Sequence, residues 1–359
     1  MMAAVFESPL QMPVKEVARP DCPEGGLLVR VEACGVCGTD VRIFNHGHHR
    51  VAPPRIIGHE IAGVVEEVGK GVGAFRGGER VMLFPATSCG RCHLCRRGRA
   101  NLCAAKEGFG YEWDGGYAQY VAVGSKAICN GNVIPIPKSL SFEEATLVEP
   151  LSCCVNGQEK LIIAPQDSVL IIGAGPIGLM HLLLARRKGV AKTLVLELQE
   201  SRMDRATVFN PDVLLKASDS LAEKRVLGET NGHGPDVVIV ACSSVRAQEQ
   251  AMRLVSKGGR VLFFAGLPAD VSRTTYDANR IHYDEIFIFG SFASSLDQYR
   301  TARDLVSATP GEFRKMLTHH LLLDDVVEAL KLVQQGQGLK VVVRPQSKAP
   351  TGEQNCLLS

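Results

Sequence analysis

The chain has no apolar run long enough to cross a bilayer. Its longest hydrophobic stretches are strand-length, such as residues 169–172, against the roughly 20 residues that a membrane span needs. The opening Met1-Met-Ala-Ala-Val-Phe-Glu7 lacks the basic cluster and long apolar core of a secretory leader. Charge of one sign is also missing. The 40 Lys and Arg offset 38 Asp and Glu to leave +2, so no broad cationic field invites nucleic acid or an anionic membrane. The one mild basic cluster, residues 91–99, sits among cysteines. No internal repeat is visible. A cytoplasmic protein with a small-molecule partner is the expectation that remains. Twelve cysteines in such a chain read as metal ligands and buried thiols, not disulfides.

At 359 residues, two domains are natural, each large enough for its own core. Residues 1–150 read as mostly strand. Residues 27–33 alternate apolar and polar, and 61–68 and 80–84 look similar. Glycines at 69, 71, 73, 77 and 78 punctuate them as turns. Short strands with many glycine turns predict an antiparallel barrel or sandwich.

Within this part, Cys89-Gly-Arg-Cys92-His-Leu-Cys95 is followed by Cys103. Four cysteines at this spacing can wrap one tetrahedral ion. An all-thiolate shell is closed, so the predicted zinc is structural and staples a lobe with little core of its own. His93 lies inside the lobe but is not needed as a ligand.

From about residue 166 strands alternate with helices. The apolar run 168–172 reads as a strand covered on both faces. It enters Gly173-Ala-Gly175-Pro176-Ile177-Gly178, which opens a helix, and a second strand, 193–196, ends in Glu197. This is the dinucleotide fingerprint in its required context. Gly173 allows the turn, Gly175 lets backbone approach the pyrophosphate, and Gly178 lets helix pack on strand. Glu197 can accept both ribose hydroxyls and would repel a 2′-phosphate, so NAD is expected over NADP. Arg202 tempers this, since it could stack on adenine or receive a phosphate. Further strands at 212–215, 236–240, 259–264 and 285–289 complete a six-stranded doubly wound sheet. A helix over 324–333 and a strand over 340–344 then return to the first pattern. The expected division is a catalytic domain over 1–150, a cofactor domain over 151–290, and a return to the catalytic domain with a polar tail over 291–359. The cofactor domain is thus inserted in the first, and a cleft between them is where cofactor and substrate would meet.

Two segments carry the reactive chemistry, Cys37-Gly-Thr39-Asp40 and Gly58-His59-Glu60. They bring a soft thiolate, an imidazole and a carboxylate, the mixed donor set of a catalytic zinc with one position left open. Gly35, Gly38 and Gly58 flank the ligands, and Asp40 can hold the imidazole of His59. Glu149-Pro150 falls at the domain junction and can face the same cleft. Cys153 and Cys154 read as buried small residues.

In this order, Gly35-Val-Cys37-Gly-Thr39-Asp40, Gly58-His59-Glu60, the four-cysteine lobe, Glu149-Pro-Leu-Ser152 and the 173–178 turn resemble the zinc-dependent medium-chain dehydrogenases. Glu149-Pro-Leu-Ser152 is similar to the polyol (sorbitol) and threonine dehydrogenase branch. The resemblance implies a Rossmann cofactor domain inserted in a GroES-like, mostly antiparallel catalytic domain, with two zinc ions per chain. It implies Cys37 and His59 as catalytic ligands, Glu60 and Glu149 alternating with water as third and fourth, and Thr39 as the hydroxyl facing the substrate oxygen. Thiolate, neutral His and one carboxylate would bring the ion to net zero, so a second carboxylate could leave cheaply. The implied reaction moves a hydride between a secondary alcohol and the nicotinamide. A homo-oligomer, a tetramer rather than a dimer, is implied as well.

One departure is Arg42, where many relatives carry a relaying histidine; Arg cannot act as a base. His46, His48 and His49 are nearby, but their Gly and polar neighbours predict a solvated loop. The leading reading is a zinc-dependent, NAD-linked dehydrogenase of a polyol or sugar alcohol. Oxidation of an amino alcohol such as threonine is the alternative. A non-catalytic NAD-binding protein, or a metal-free reductase of the same fold, would lack Cys37, His59 and Glu60. The terminal Cys356-Leu-Leu-Ser359 matches the form of a prenylation box, but so loose a pattern recurs by coincidence and no lipid is expected.

Overall fold

The computed structural model describes residues 1–309 and 311–346. The Cys356 box lies outside them. No described helix is long and apolar enough to cross a membrane.

Six strands form a parallel sheet with spatial order Val213–Lys216, Lys192–Glu197, Ser168–Ile172, Val237–Val240, Arg260–Phe263, Phe287–Gly290. In sequence terms the order is 3-2-1-4-5-6, the doubly wound arrangement with its reversal beside the first strand. Ile172 pairs with both Leu196 and Val240, so Gly173 emerges where the strand order reverses. These central strands are buried on both faces because helices cover both sides, which explains their unbroken apolar sequences.

A second, seven-stranded sheet is mostly antiparallel. Its path runs Val133–Pro135, Arg80–Leu83, Glu60–Val68, Leu27–Gly35, Lys340–Arg344, Leu317–Leu322, with Tyr120–Val123 also on Leu27–Gly35. The pairing of Lys340–Arg344 with Leu27–Gly35 brings the last described strand back beside the N-terminal strands. One element departs from the antiparallel expectation. Leu317–Leu322 lies parallel to Lys340–Arg344, joined through the helix Val326–Gln335. Its sequence, Leu-Thr-His-His-Leu-Leu, hides the strand among polar residues at a sheet edge.

The helix Val148–Leu161 joins the two sheets. Its buried face shares one core with Ala62 and Met82 of the second sheet and Val169 and Ile171 of the first. Pro150 is tolerated there because it falls in the first turn, where its missing N–H costs nothing. Glu149 is therefore set at the junction by a rigid element.

Gly178 is dictated by this packing. A methyl group at that position would meet Gly173 O at 1.8 Å, so only glycine lets the helix Pro176–Arg187 start against the strand. The same helix buries His181 completely, its ring edge-on to Phe264 at 4.7 Å and Nδ1 3.3 Å from Gln158 Nε2. Burial pushes its pKa down to about 3. The unfolded chain then binds the extra proton below about pH 6.5, so stability present above that pH is lost as pH falls toward 3. Wild type should lose roughly 2 kcal/mol from this source between pH 6.5 and 5, and His181→Gln should lose correspondingly less. Urea midpoints at the two pH values check this; equal losses in both proteins would contradict it.

Candidate active site

Cys37 caps the helix Gly38–His46. Its sulfur accepts from Thr39 N at 3.4 Å, and its own N–H donates to Asp40 Oδ2 at 2.9 Å. This reciprocal cap fixes both side chains at the helix entrance. Asp40 is fully buried and accepts a second hydrogen bond from the Tyr117 hydroxyl at 2.9 Å. Its other oxygen, Oδ1, lies 3.2 Å from His59 Nδ1. That contact leaves Nε2 of His59 as the ring nitrogen for a metal. Burial alone would raise the Asp40 pKa, but the His59 charge and these donors outweigh it and lower it. Burial alone would lower His59, and Asp40 beside it reverses the sign, holding it well above the ordinary range.

Ligand atoms of Cys37, His59 and Glu60 lie within 4.8 Å of one another. Glu60 is the first residue of its strand and is 1% exposed. Its Oε1 is buried with no hydrogen-bond partner among the described residues, an orphan that a cation would satisfy. The donor set and that orphan fit a zinc ion. Glu149 is not part of this cluster. It accepts weakly from Cys153 Sγ at 3.7 Å, and its charge bears on Glu60.

The four lobe cysteines also converge, with sulfurs within 4.8 Å of one another. Cys92 and Cys95 are 3.4 Å apart and Cys89 and Cys95 3.9 Å. A tetrahedral zinc with Zn–S of about 2.3 Å needs sulfurs about 3.8 Å apart, so the lobe is shaped for that ion. Backbone donors from Arg91 and Cys92 hold Cys89 down to about 6, toward the thiolate that binds metal. Neither short helix of the lobe, His93–Arg96 or Ala100–Leu102, contributes a buried residue. His93 is not among the converging ligands.

At the cofactor turn, the helix Pro176–Arg187 begins with Gly175 as its cap and no side-chain cap bond. Its free first-turn N–H groups suit a phosphate. A Cβ on Gly175 would meet nothing nearer than Arg202 Nη1 at 3.9 Å, so the approach to the turn is open. Glu197 is 4% exposed and accepts from Ala174 N, Leu198 N and Gln199 N at 2.6–2.8 Å. The acid is thus aimed at the fingerprint turn by backbone donors. Arg202 stands beside both Gly175 and Gly336. These features fit a dinucleotide.

Several expectations need adjustment. Gly38 has open space around it, and no close approach requires glycine there. Of the three histidines expected in a loop, His46 instead ends the helix Gly38–His46 and is exposed, His49 is exposed, and His48 is half-buried against Tyr111, with ring centroids 5.6 Å apart. Arg42 is exposed. Cys154 is fully buried as expected, whereas Cys153 is only half-buried. Tyr117, which donates to Asp40, escaped sequence reasoning, as did two further residues. Tyr111 sits 5.9 Å from the His59 ring under the Arg50 guanidinium, and burial pushes its hydroxyl up to about 12. Lys340, 3% exposed, pairs with Glu60 Oε2. A lysine opening an otherwise apolar strand, Lys-Val-Val-Val, was the available signal for the second.

Residues 23–138 match the family model of the alcohol dehydrogenase GroES-like domain, and residues 176–308 that of the zinc-binding dehydrogenases. The chain is 33% identical over 350 residues to D-arabinitol dehydrogenase 1 of Uromyces fabae, covering 96% of this chain and 97% of the relative. It is 32% identical over 335 residues to L-threonine 3-dehydrogenase of Pyrococcus horikoshii, covering 91% and 93%. Among solved structures, a zinc-binding dehydrogenase from Sinorhizobium meliloti, bound to NADP, superposes with a TM-score of 0.88 at 31% identity, over 96% and 99% of the two chains. The chain belongs to the zinc-containing medium-chain dehydrogenase/reductase family. Within it, this protein is a zinc-dependent, NAD(P)-linked alcohol or polyol dehydrogenase acting on a CH–OH group.

Proposed function

We propose that the enzyme interconverts a polyol or sugar-derived secondary alcohol and its ketone, with NAD as the hydride carrier. The observation that carries the site is the convergence of Cys37, His59 and Glu60 with His59 held by Asp40. Cys37 and His59 hold a catalytic zinc, with Glu60 and Glu149 as carboxylates that exchange on it; Cys89, Cys92, Cys95 and Cys103 hold a structural one. When bound, the catalytic ion supplies Lewis acidity at the alcohol oxygen and NAD supplies the hydride acceptor. The chain's own residues do the rest. Asp40 orients His59 through Nδ1, and Tyr117 and Cys37 N keep Asp40 in place. Thr39, in the first turn of its helix, would accept the substrate hydroxyl proton at Oγ1 as its own hydroxyl proton passes on to water. Gly173, Gly175, Pro176, Ile177 and Gly178 seat the pyrophosphate at the helix entrance, and Arg202 flanks it.

Support for the polyol comes from the arabinitol relative; Glu149-Pro-Leu-Ser152 suits both substrates, and the threonine relative, nearly as similar, keeps amino-alcohol oxidation as the second reading. A panel of pentitols, hexitols, L-threonine and simple secondary alcohols tests it. Turnover on polyols and not on threonine is expected; the reverse would transfer the assignment.

NAD over NADP rests on Glu197. Its carboxylate would repel a 2′-phosphate, although the Sinorhizobium relative was solved with NADP. Glu197→Gln should raise KM for NAD about tenfold and narrow the preference between the two cofactors. An unchanged ratio of kcat/KM values for NAD and NADP would sink the assignment.

We assign residues 1–150 and 291–346 to the catalytic unit and 151–290 to the cofactor unit, in keeping with strands 317–322 and 340–344 joining the N-terminal sheet; the polar tail lies outside the described residues. A homotetramer is the proposed assembly. The edge strand Phe287–Gly290 pairs on one side only, and Phe287, Ile288 and Phe292 are exposed there, which favours self-association. Cytoplasmic location is supported by eleven described cysteines, none of them in a disulfide.

A further inference from the structure

A buried lysine stands beside the metal ligands. Lys340 opens the strand Lys340–Arg344, is 3% exposed, and pairs with Glu60 Oε2. The two residues reach each other across the strand Leu27–Gly35, and position 35 makes that possible. A methyl group there would sit 1.9 Å from Glu60 Oε2 and 2.9 Å from Lys340 Cε. The site thus spends a glycine on bringing one ammonium to one carboxylate.

A lone buried ion pair is a poor stabiliser, because desolvating both charges costs about as much as their attraction returns. Its position suggests a different use. Cys37, Glu60 and Glu149 could bring three negative charges to the ion. Lys340 offsets one, leaving two for a divalent cation bound with a neutral His59.

We propose that Lys340 is a positioning residue of the metal centre, competing with the ion for the Glu60 carboxylate and so keeping that carboxylate exchangeable. The proposal rests on the reading of Cys37, His59 and Glu60 as ligands. In the charge count, Lys340 keeps the site from turning anionic when both carboxylates face the ion, and it receives Glu60 when that carboxylate leaves. Without Lys340, Glu60 stays on the ion and the site becomes more anionic. The ion is then held more tightly and its open position is less available to an alcohol oxygen.

The test compares holoenzyme of wild type, Lys340→Met and Lys340→Arg. The readouts are release of the Cys37-site zinc to excess dipicolinate, and kcat and KM separately. Lys340→Met should release this zinc about tenfold more slowly, the scale on which outer partners tune a metal. Its kcat should fall with KM for NAD unchanged, and Lys340→Arg should restore both toward wild type. Should Lys340→Met fail to fold, Gly35→Ala separates the pair while keeping both charges, at the cost of moving only two flexible side-chain ends; it should slow zinc release likewise. Wild-type release rates in whichever of Lys340→Met and Gly35→Ala folds would overturn the role of Lys340. Retention of both zincs by Cys37→Ser would instead overturn the ligand assignment beneath it.

Discussion

Cys37→Ser is expected to leave one zinc per chain in place of two and to lower kcat/KM about a thousandfold or more. Serine offers a neutral, hard oxygen where the site has a soft thiolate, and it lies at a helix entrance whose geometry is fixed from both sides. The remaining donors, His59 and Glu60, cannot hold a divalent ion against water with comparable affinity. The fold should survive. Serine caps helices at least as well as cysteine, and the lobe zinc is held by other residues. Metal analysis and far-UV circular dichroism separate these effects. Two zincs retained with activity lost would move the catalytic ion elsewhere.

Cys92→Ser should have the opposite profile, a large structural effect with little change in chemistry. The lobe has no buried residue in its helices, so the metal is its core. Structural zinc supplies about 10 kcal/mol or more to small domains that depend on it. Loss of one thiolate should release that ion and open the segment 89–103 locally. Arg91, Arg96, Arg97 and Arg99 would then become rapid tryptic sites. The lobe's contacts to Phe292, through Asn101 Nδ2 at 2.8 Å and Lys106 over the ring at 4.3 Å, should loosen with it. Turnover per remaining catalytic zinc should stay within about threefold of wild type. A lobe that resists trypsin with its zinc gone would contradict this account.

Most of the scaffold was legible because the signals were local. Strands 27–33, 61–68 and 168–172 declare themselves by alternation or by unbroken apolar sequence, and observed elements coincide with them. The glycine turn carries its own reasons, of which the 1.8 Å approach at Gly178 is the plainest. Cys37, His59 and Glu60 were legible by residue type, and so were the four lobe cysteines. What escaped depends on long-range return. Lys340 meets Glu60 only because the last strand pairs beside Leu27–Gly35, and nothing local to residue 340 announces that register. Tyr111 lies in a loop pinned by contacts distant in sequence, Phe109 N to Pro85 O and Arg50 to Glu112. The strand Leu317–Leu322 escaped because its edge position admits polar side chains.

The most direct test of a metal-dependent polyol dehydrogenase is NADH formation from a polyol by protein whose labile zinc has been removed by dipicolinate and then returned. Activity should disappear as the first of two zincs leaves and return with its replacement, the lobe zinc staying bound throughout. Activity that survives loss of that ion, or no turnover of any secondary alcohol at full zinc occupancy, would contradict the account.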